Sequence, residues 1–376
     1  MDGPELLLIP GPVSVDDEVL EALARPVRAH YGSDWGEEYA RLLGALGRLF
    51  RTQGDVLLIF GPGSAATETA LASTLAPGDA VIVASNGMFG ERLVKVAETI
   101  GLRVHPVLAE AGDPVAPEAV EAALRAHPET RALAMVHHET SCGVLNPVRE
   151  LAGLGRERGL LTYVDAISSF GGVELQVDEW GIDLCASVAN KCLGGPIGVA
   201  PLAVGERAWA AVDDGRPKAA GWYLNLRTWR EARAHWGDYH PYPVTMPTSV
   251  IEALKVAVEH VESVGLEAHQ RLSAQAAARV REGLRELGFA MVVEDRHASP
   301  VCTAAWALPG MDVTDYIDWM RRERGLRLGG GLGPKLVGRT FRVGHMARAA
   351  DPAVVDAYLR ATSDYVETRI GRIKSA

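Results

Sequence analysis

Cysteine is scarce in this chain of 376 residues: four in all, at positions 142, 185, 192 and 302. None form a C-x-x-C pair, and a chain this long does not need staples to fold. A disulfide scaffold and a structural zinc site are therefore excluded, and a reducing compartment is expected. Long apolar runs are missing too. The start, Met1-Asp2-Gly3-Pro4-Glu5, is acidic where a secretory signal would be basic, and the apolar piece behind it covers only Leu6 to Ile9. Nothing approaches the ~20 apolar residues that cross a bilayer. Positive charge is in deficit, with 38 Lys and Arg against 48 Asp and Glu, a formal net charge of -10. A field of that sign repels phosphate backbones and anionic lipid. The expectation is a soluble cytoplasmic protein with neither nucleic acid nor membrane as partner.

What is present is an ordinary globular composition, 48% apolar and 23% charged. At about 150 residues per domain the length allows two to three domain-equivalents. Short aliphatic runs alternate with helix-like stretches. Asp55 to Phe60, Ala80 to Ala84, Leu133 to Val136, Leu160 to Val164 and Leu184 to Val188 read as strands. Arg92 to Ile100, Pro117 to Ala126 and Val148 to Arg158 read as helices between them. That alternation implies crossover connections and a mostly parallel sheet covered on both faces. After Pro201 the pattern changes. Residues 213–247 are rich in Pro, Gly, Trp and Tyr, and Ser249 to Val264 and Leu272 to Leu287 follow as long helices. From Phe289 short strands and helices mix, as in a small α/β domain. The division expected is an N-terminal segment (1–20) packing on the small domain, a large domain (21–260) and a smaller C-terminal α/β domain (261–376).

In an open parallel sheet, ligands bind outside the carboxyl ends of the strands. The residues that follow each strand here are Gly61-Pro62-Gly63-Ser64-Ala65, Ser85-Asn86-Gly87-Met88-Phe89-Gly90, His137-His138-Glu139-Thr140-Ser141, Asp165-Ala166-Ile167-Ser168 and Asn190-Lys191-Cys192-Leu193-Gly194-Gly195-Pro196. Each has a plain reading. The glycine turn does not match G-x-x-x-x-G-K-[ST] and can be a tight strand–helix connection. Asp165 can be an N-cap, and Lys191 a surface lysine. Taken together they match the needs of pyridoxal 5'-phosphate. That cofactor takes a lysine for its Schiff base, an acid at the pyridine nitrogen, an aromatic over the ring and a helix N-terminus for the phosphate. A lysine among small apolar residues loses its charge more easily and becomes a nucleophile for carbonyls.

The sequence resembles the class V aminotransferases of fold type I, in their alanine–glyoxylate and serine–glyoxylate branch. The resemblance runs from Ile9-Pro10-Gly11-Pro12 to Phe341-Arg342-Val343-Gly344-His345. It is carried best by Asp165 to Gly172, Asn190 to Pro196 and Gly329 to Pro334. It implies that Lys191 bears the cofactor and moves the proton, and that Asp165 pairs with the ring nitrogen. Gly63, Ser64 and Ala65 would meet the phosphate. Phe89 and Ile167 would cover the two ring faces, Thr140 would reach the 3′ oxygen, and Asn190 would contact the phosphate or ring. Arg342 would clamp the substrate carboxylate, with Gly11 nearby. Tyr242 and Thr245 would reach the phosphate held by a neighbouring subunit, making a homodimer with shared active sites. No residue is assigned to a metal. His137, His138, Cys142 and Cys192 read as packing residues, and Trp222, Trp229 and Trp236 as packing or dimer contacts.

The activity implied is transfer of an amino group from a small amino donor to a 2-oxo acid such as glyoxylate or pyruvate, by a ping-pong mechanism. His137 to Thr140, Asn190 to Gly194 and Gly344-His345-Met346 also resemble pyridoxamine–pyruvate aminotransferase, and a ureidoglycine–glyoxylate enzyme fits the same group. A lyase of the cysteine-desulfurase type needs a nucleophilic Cys between Gly325 and Pro334, where none stands. An effector-binding module of a transcription regulator would need an added DNA-binding segment. The sequence instead begins with the enzyme-like part.

Overall fold

The computed structural model describes residues 5–371. Residues 1–4 and 372–376, the outer ends of the first and last expected segments, lie outside the described residues. The chain enters through β1 (Leu6–Leu7), α1 (Asp17–Leu23) and α2 (Ser33–Phe50). It then alternates through β2 (Asp55–Phe60), α3 (Gly63–Thr74), β3 (Ala80–Ser85), α4 (Met88–Thr99), β4 (Arg103–Leu108), α5 (Pro117–Ala126) and β5 (Thr130–Val136). A small hairpin, β6 (His138–Glu139) and β7 (Val144–Leu145), leads into α6 (Val148–Glu157), β8 (Leu161–Asp165), β9 (Leu184–Ala186) and β10 (Val199–Val204). Helices α7 (Glu206–Val212), α8 (Leu226–Trp236), α9 (Thr248–Val264) and α10 (Leu266–Glu286) follow. The chain ends in β11 (Cys302–Trp306), α11 (Val313–Arg324), β12 (Leu326–Arg327), β13 (Gly329–Gly330), β14 (Thr340–Gly344) and α12 (Pro352–Tyr365).

Seven strands form the central sheet in the order β2-β10-β9-β8-β5-β3-β4. All neighbours are parallel except β10, which runs antiparallel to both β2 and β9. Runs such as Val56 to Ile59 and Ala80 to Ala84 are apolar on both faces because helices cover both sides. Two of these strands are hidden in the sequence. β4 reads RVHPVL, with Arg, His and Pro breaking its apolar run. It bonds only β3, and an edge strand tolerates proline. β10 carries Pro201 inside the sheet. The Pro201 carbonyl accepts from Ser187 N at 2.9 Å, but proline returns no N–H to Ser187, and this one-sided pair lies just past the end of β9, where the β9–β10 ladder stops at Ala186–Leu202.

The large core runs from Trp35 to Val261 and includes every strand of the central sheet. A second core gathers Leu8 with residues of α10, β11, α11, β14 and α12, among them Val280, Tyr316, Phe341 and Tyr358. Leu6–Leu7 pairs in parallel with Leu326–Arg327, and Gly344 N donates to the Leu8 carbonyl at 2.7 Å. The entering chain is therefore stitched to the C-terminal sheet before it reaches Lys191. Of the three regularly spaced tryptophans, Trp229 is buried in the large core, while Trp222 and Trp236 are exposed.

Candidate active site

At the carboxyl ends of β2, β3, β5 and β8 the loops enclose a cavity of about 540 Å³. Pockets of 300–1,000 Å³ are the usual size for a cofactor with its substrate. Gly63, Ser64, Phe89, Thr140, Asp165, Ile167, Asn190, Lys191 and Gly11 all line it. These positions come from six separate stretches of chain, and the sheet topology brings them together.

Each wall has a local cause. α3 begins at Gly63 with Pro62 before it and no side chain capping its first turn. Its N-terminal end is therefore left as an anion-binding surface. A Cβ at Gly63 would stand 2.5 Å from Ile167 Cδ1, so only glycine lets the Asp165–Ser168 loop close on the turn. The Ser64 hydroxyl has no hydrogen-bond partner among the described residues. Ala65 differs from the expectation. It is packed against the large core and does not line the cavity, and its N–H is used by the Pro62 carbonyl at 2.9 Å.

Asp165 ends β8. Its Oδ1 accepts from Ile167 N at 2.9 Å, while Oδ2 has no partner among the described residues. Burial raises its pKa to about 6, so the carboxyl sits well above the usual range until a cation meets it. Lys191 Nζ donates to the Pro10 carbonyl at 2.6 Å. Burial pushes the pKa of this amine down, which favours the neutral, nucleophilic form. Gly11 lies against the same side chain. A Cβ there would come within 2.8 Å of both Cγ and Nζ of Lys191, and φ is +92°.

Phe89 stands in the first turn of α4. Glu139, fully buried, holds that turn: its carboxylate accepts from Phe89 N at 3.1 Å, Gly90 N at 3.0 Å and Ser141 N at 3.0 Å, and from the Ser141 hydroxyl. Thr140 Oγ1 donates to Ser168 Oγ at 2.6 Å. Arg342, 7% exposed, stands behind Thr140 and does not line the cavity. Its Nη1 donates to the Thr140 carbonyl at 3.0 Å and its Nε to the Gly330 carbonyl at 2.8 Å. No carboxylate pairs with it among the described residues.

Tyr242 is not brought to this cavity. It is fully buried, its hydroxyl accepts from Trp35 Nε1 at 2.6 Å and donates to the His30 carbonyl, so within its own chain the phenol is already committed. That departs from a Tyr242 reaching out to a second subunit. Thr245, three residues on, is exposed.

Three residues on the wall had no role in the sequence reading. His138 lines the cavity, with Nδ1 on the Ser168 carbonyl at 3.2 Å and a pKa lowered to about 3 by burial, so it is neutral. Arg92 also lines the cavity, its guanidinium 4.8 Å from the Phe89 ring centroid. Ser168 completes the Thr140 side. The i, i+3 spacing of Phe89 and Arg92 on one helix was the signal for Arg92. For His138, its place directly after β5 was the signal.

The cysteines lend no support to the desulfurase-type alternative. All four are buried. Burial pushes Cys142 and Cys192 up to about 12 and Cys302 to about 11, with Cys185 well above its ordinary value. None is a thiolate nucleophile at neutral pH.

The residues present fit pyridoxal 5'-phosphate. An uncapped helix end and Ser64 suit the phosphate, the unshared Asp165 oxygen suits a ring N–H, and Lys191 suits the aldehyde.

Comparison with known proteins agrees. The aminotransferase class-V family model matches residues 48–350. An uncharacterized aminotransferase of Methanocaldococcus jannaschii is 31% identical over 93% of this chain and 90% of its own length. The pyridoxamine–pyruvate transaminase of Mesorhizobium japonicum is 30% identical, covering 95% of this chain and 90% of its own. The crystal structure of alanine–glyoxylate aminotransferase from Nostoc sp. superposes with a TM-score of 0.92 at 30% identity, over 97% of this chain and 96% of that one. With a cavity of this chemistry on a sheet of this order, the chain belongs to the class V aminotransferases, pyridoxal-phosphate-dependent enzymes of fold type I.

Proposed function

We propose that this aminotransferase takes nitrogen from a small amino donor and passes it to a 2-oxo acid such as glyoxylate or pyruvate, in two half-reactions. The observation that carries the reading is Lys191: a desolvated amine on the wall of a cavity that the Asp165 carboxyl and the uncapped start of α3 also line. When bound, the cofactor supplies an electron sink for the bond broken at the substrate α-carbon. Lys191 would hold the cofactor's aldehyde end and would be the amine placed to carry a proton beside it. Asp165 keeps the ring nitrogen protonated. Gly63, Ser64 and Asn190 hold the phosphate end, Phe89 and Ile167 sandwich the ring, and Thr140 orients its 3′ oxygen. Arg342, behind Thr140 and unpaired with any carboxylate among the described residues, would receive the substrate carboxylate with Gly11 nearby. Relatives named for alanine–glyoxylate and pyridoxamine–pyruvate transfer support an acceptor of two or three carbons. The helix end left open for a phosphate supports a resident phosphorylated cofactor over free pyridoxamine as donor.

The test is a donor panel in single half-reactions, followed by the spectral change from the aldehyde to the amine form of the cofactor, with glyoxylate and pyruvate run in reverse. Borohydride should fix the cofactor to Lys191 and to no other lysine, as read by peptide mass spectrometry. A tag on another lysine refutes the assignment.

The reading extends to a cytoplasmic homodimer with a large and a small domain divided near residue 260. Support for the division comes from the two separate cores, and for sharing of sites from the exposed Thr245 ahead of α9. No helix among the described residues is long and apolar enough to cross a membrane.

A further inference from the structure

Far from the active site, the outer edge of the central sheet carries a group of side chains that the transamination chemistry does not use. His105 lies on β4, opposite Ile82 of β3. His127 ends α5, and Glu129 stands in the turn before β5. The His105 and His127 rings are stacked, with centroids 3.6 Å apart and planes 15° from parallel. Glu129 Oε1 is 3.7 Å from His105 Nε2 and 3.9 Å from His127 Nδ1. Those separations are too long for hydrogen bonds, and His105 Nε2 is shut off from solvent with no partner. A buried polar atom left this way is costly and calls for an explanation.

We propose that His105, His127 and Glu129 bind a divalent transition-metal ion of the zinc or nickel kind. The three ligand atoms lie within 4.8 Å of one another. Bonds of ~2.0–2.2 Å to a tetrahedral ion set donors roughly 3.3 Å apart, so the group closes in by less than ~1.5 Å on binding. The rings must also open from face-to-face to fan around the ion. His127, whose side chain is 36% exposed, has room to swing. The backbone is already set. His127 N donates to the Ala123 carbonyl at 2.9 Å, and its own carbonyl accepts from Thr130 N at 3.1 Å and Thr130 Oγ1 at 2.7 Å. That turn puts His127 and Glu129 on one side, facing His105. Arg103 Nη2 donates to Glu129 Oε1 at 3.1 Å, the same oxygen that faces both imidazoles, so the carboxylate turns or shares that oxygen when the ion binds.

Two imidazoles and one carboxylate select zinc, nickel or copper over magnesium or calcium. Water would fill the open positions. Glu129 precedes β5, whereas the cavity begins at Val136 at the strand's other end. Six residues of strand separate them by ~20 Å, so the ion would staple the edge strand to the α5–β5 turn and leave catalysis untouched.

The experiment uses untagged holoenzyme stripped of metal by dialysis against a chelator, with zinc titrated by calorimetry. One zinc should bind per chain with a Kd of about 10 µM or tighter, and Tm should rise with zinc. Cobalt in its place should give the visible absorption bands of a site with nitrogen ligands. His105→Ala and Glu129→Gln should each weaken zinc binding at least tenfold, with transamination at the wild-type rate. Absence of stoichiometric zinc binding in the wild type overturns the proposal. So does unchanged binding in a His105→Ala/His127→Ala variant that keeps wild-type activity, and so does a cobalt spectrum of the hydrated ion.

Discussion

Asp165 is held at the cavity wall with one carboxyl oxygen used and the other unpartnered among the described residues, which gives it two measurable signatures. Replacing it with Asn removes the charge that keeps the ring nitrogen protonated. Turnover should fall by about a thousandfold, equivalent to ~4 kcal/mol of barrier. The second signature is in the cofactor-free protein. Its carboxyl titrates near 6 when folded and near 3.8 when unfolded. Between those values the folded chain keeps a proton that the unfolded chain has lost. Stability therefore falls as pH rises from 4 to 6 and levels off above, by on the order of 3 kcal/mol from this group. Urea midpoints across pH 4–7 should show that fall in wild type and a flatter curve in Asp165→Asn. Parallel curves would remove the buried carboxyl from the account. Gly63 offers a steric test beside it. Gly63→Ala should weaken cofactor binding at least tenfold, about 1.4 kcal/mol, because its methyl group meets Ile167. In an Ile167→Ala background the same change should cost less than half as much. An equal cost in both backgrounds would mean that the clash is not with Ile167.

Among the elements, α4 is the one whose placement depends on another loop. Its first turn is fastened by Glu139, a carboxylate accepting from three backbone N–H groups and the Ser141 hydroxyl. Glu139→Gln substitutes an amide donor for one acceptor oxygen and sets it against N–H groups. A loss of about 2–3 kcal/mol is expected, with weaker cofactor binding as Phe89 loosens. Thermal unfolding with and without added cofactor checks both. No pattern in the sequence announced this contact, because the two ends are fifty residues apart. The same limit governs the rest of what was hard to read. The strands at Asp55, Ala80 and Leu161 were legible because burial on both faces demands unbroken apolar runs. β4 and β10 were not: an edge position lets Arg, His and Pro106 interrupt the apolar run of β4, and Pro201 inside the fully buried β10 reads as a break in a strand. The start of α4 was hidden by Gly87 and Gly90, which read as a loop. Structure shows them as close-packing sites, where a Cβ would stand 2.5 Å from Ser141 Oγ and 2.4 Å from Ser85 Oγ. At the site, residues directly following a strand could be named from sequence. Whether a guanidinium such as Arg342 faces the cavity or stands behind its wall depends on packing between distant segments.

At the level of the whole molecule, the segments His30–Trp35 and 236–242 meet in one aromatic cluster. Gly32 N donates to the Tyr239 carbonyl at 3.0 Å, and Tyr31 lies beside Tyr239 with ring centroids 5.7 Å apart. Tyr31, Trp222, Trp236 and Tyr239 are exposed. A dimer with shared sites makes a specific prediction on this background. Lys191→Ala and Thr245→Ala subunits, each weak alone, should recover part of the wild-type rate when refolded together, because one of the two sites then holds no defect. With Tyr242 committed inside its own chain, Tyr242→Phe should act mainly on stability. Mixed subunits no more active than their parents, or a monomer by light scattering, would refute sharing.

The stretch from Leu6 to Val13 has one further consequence. It is bonded to the small sheet through Leu6, Leu7 and Leu8, then supplies the Pro10 carbonyl to Lys191 and the Val13 N–H to the Asn190 carbonyl at 3.3 Å. The same few residues thus join the second core, through Leu8, to the loop that carries Lys191, with Val13 packed beside Cys192 in a small cluster of its own. A chain trimmed to begin at Ser14 keeps nearly all of the large core and should still fold, yet its lysine would be unmoored. Such a truncate would pass as intact by circular dichroism while its amine drifted back toward ordinary basicity. For anyone placing a tag or a cleavage site, the front end of this enzyme is machinery rather than packaging.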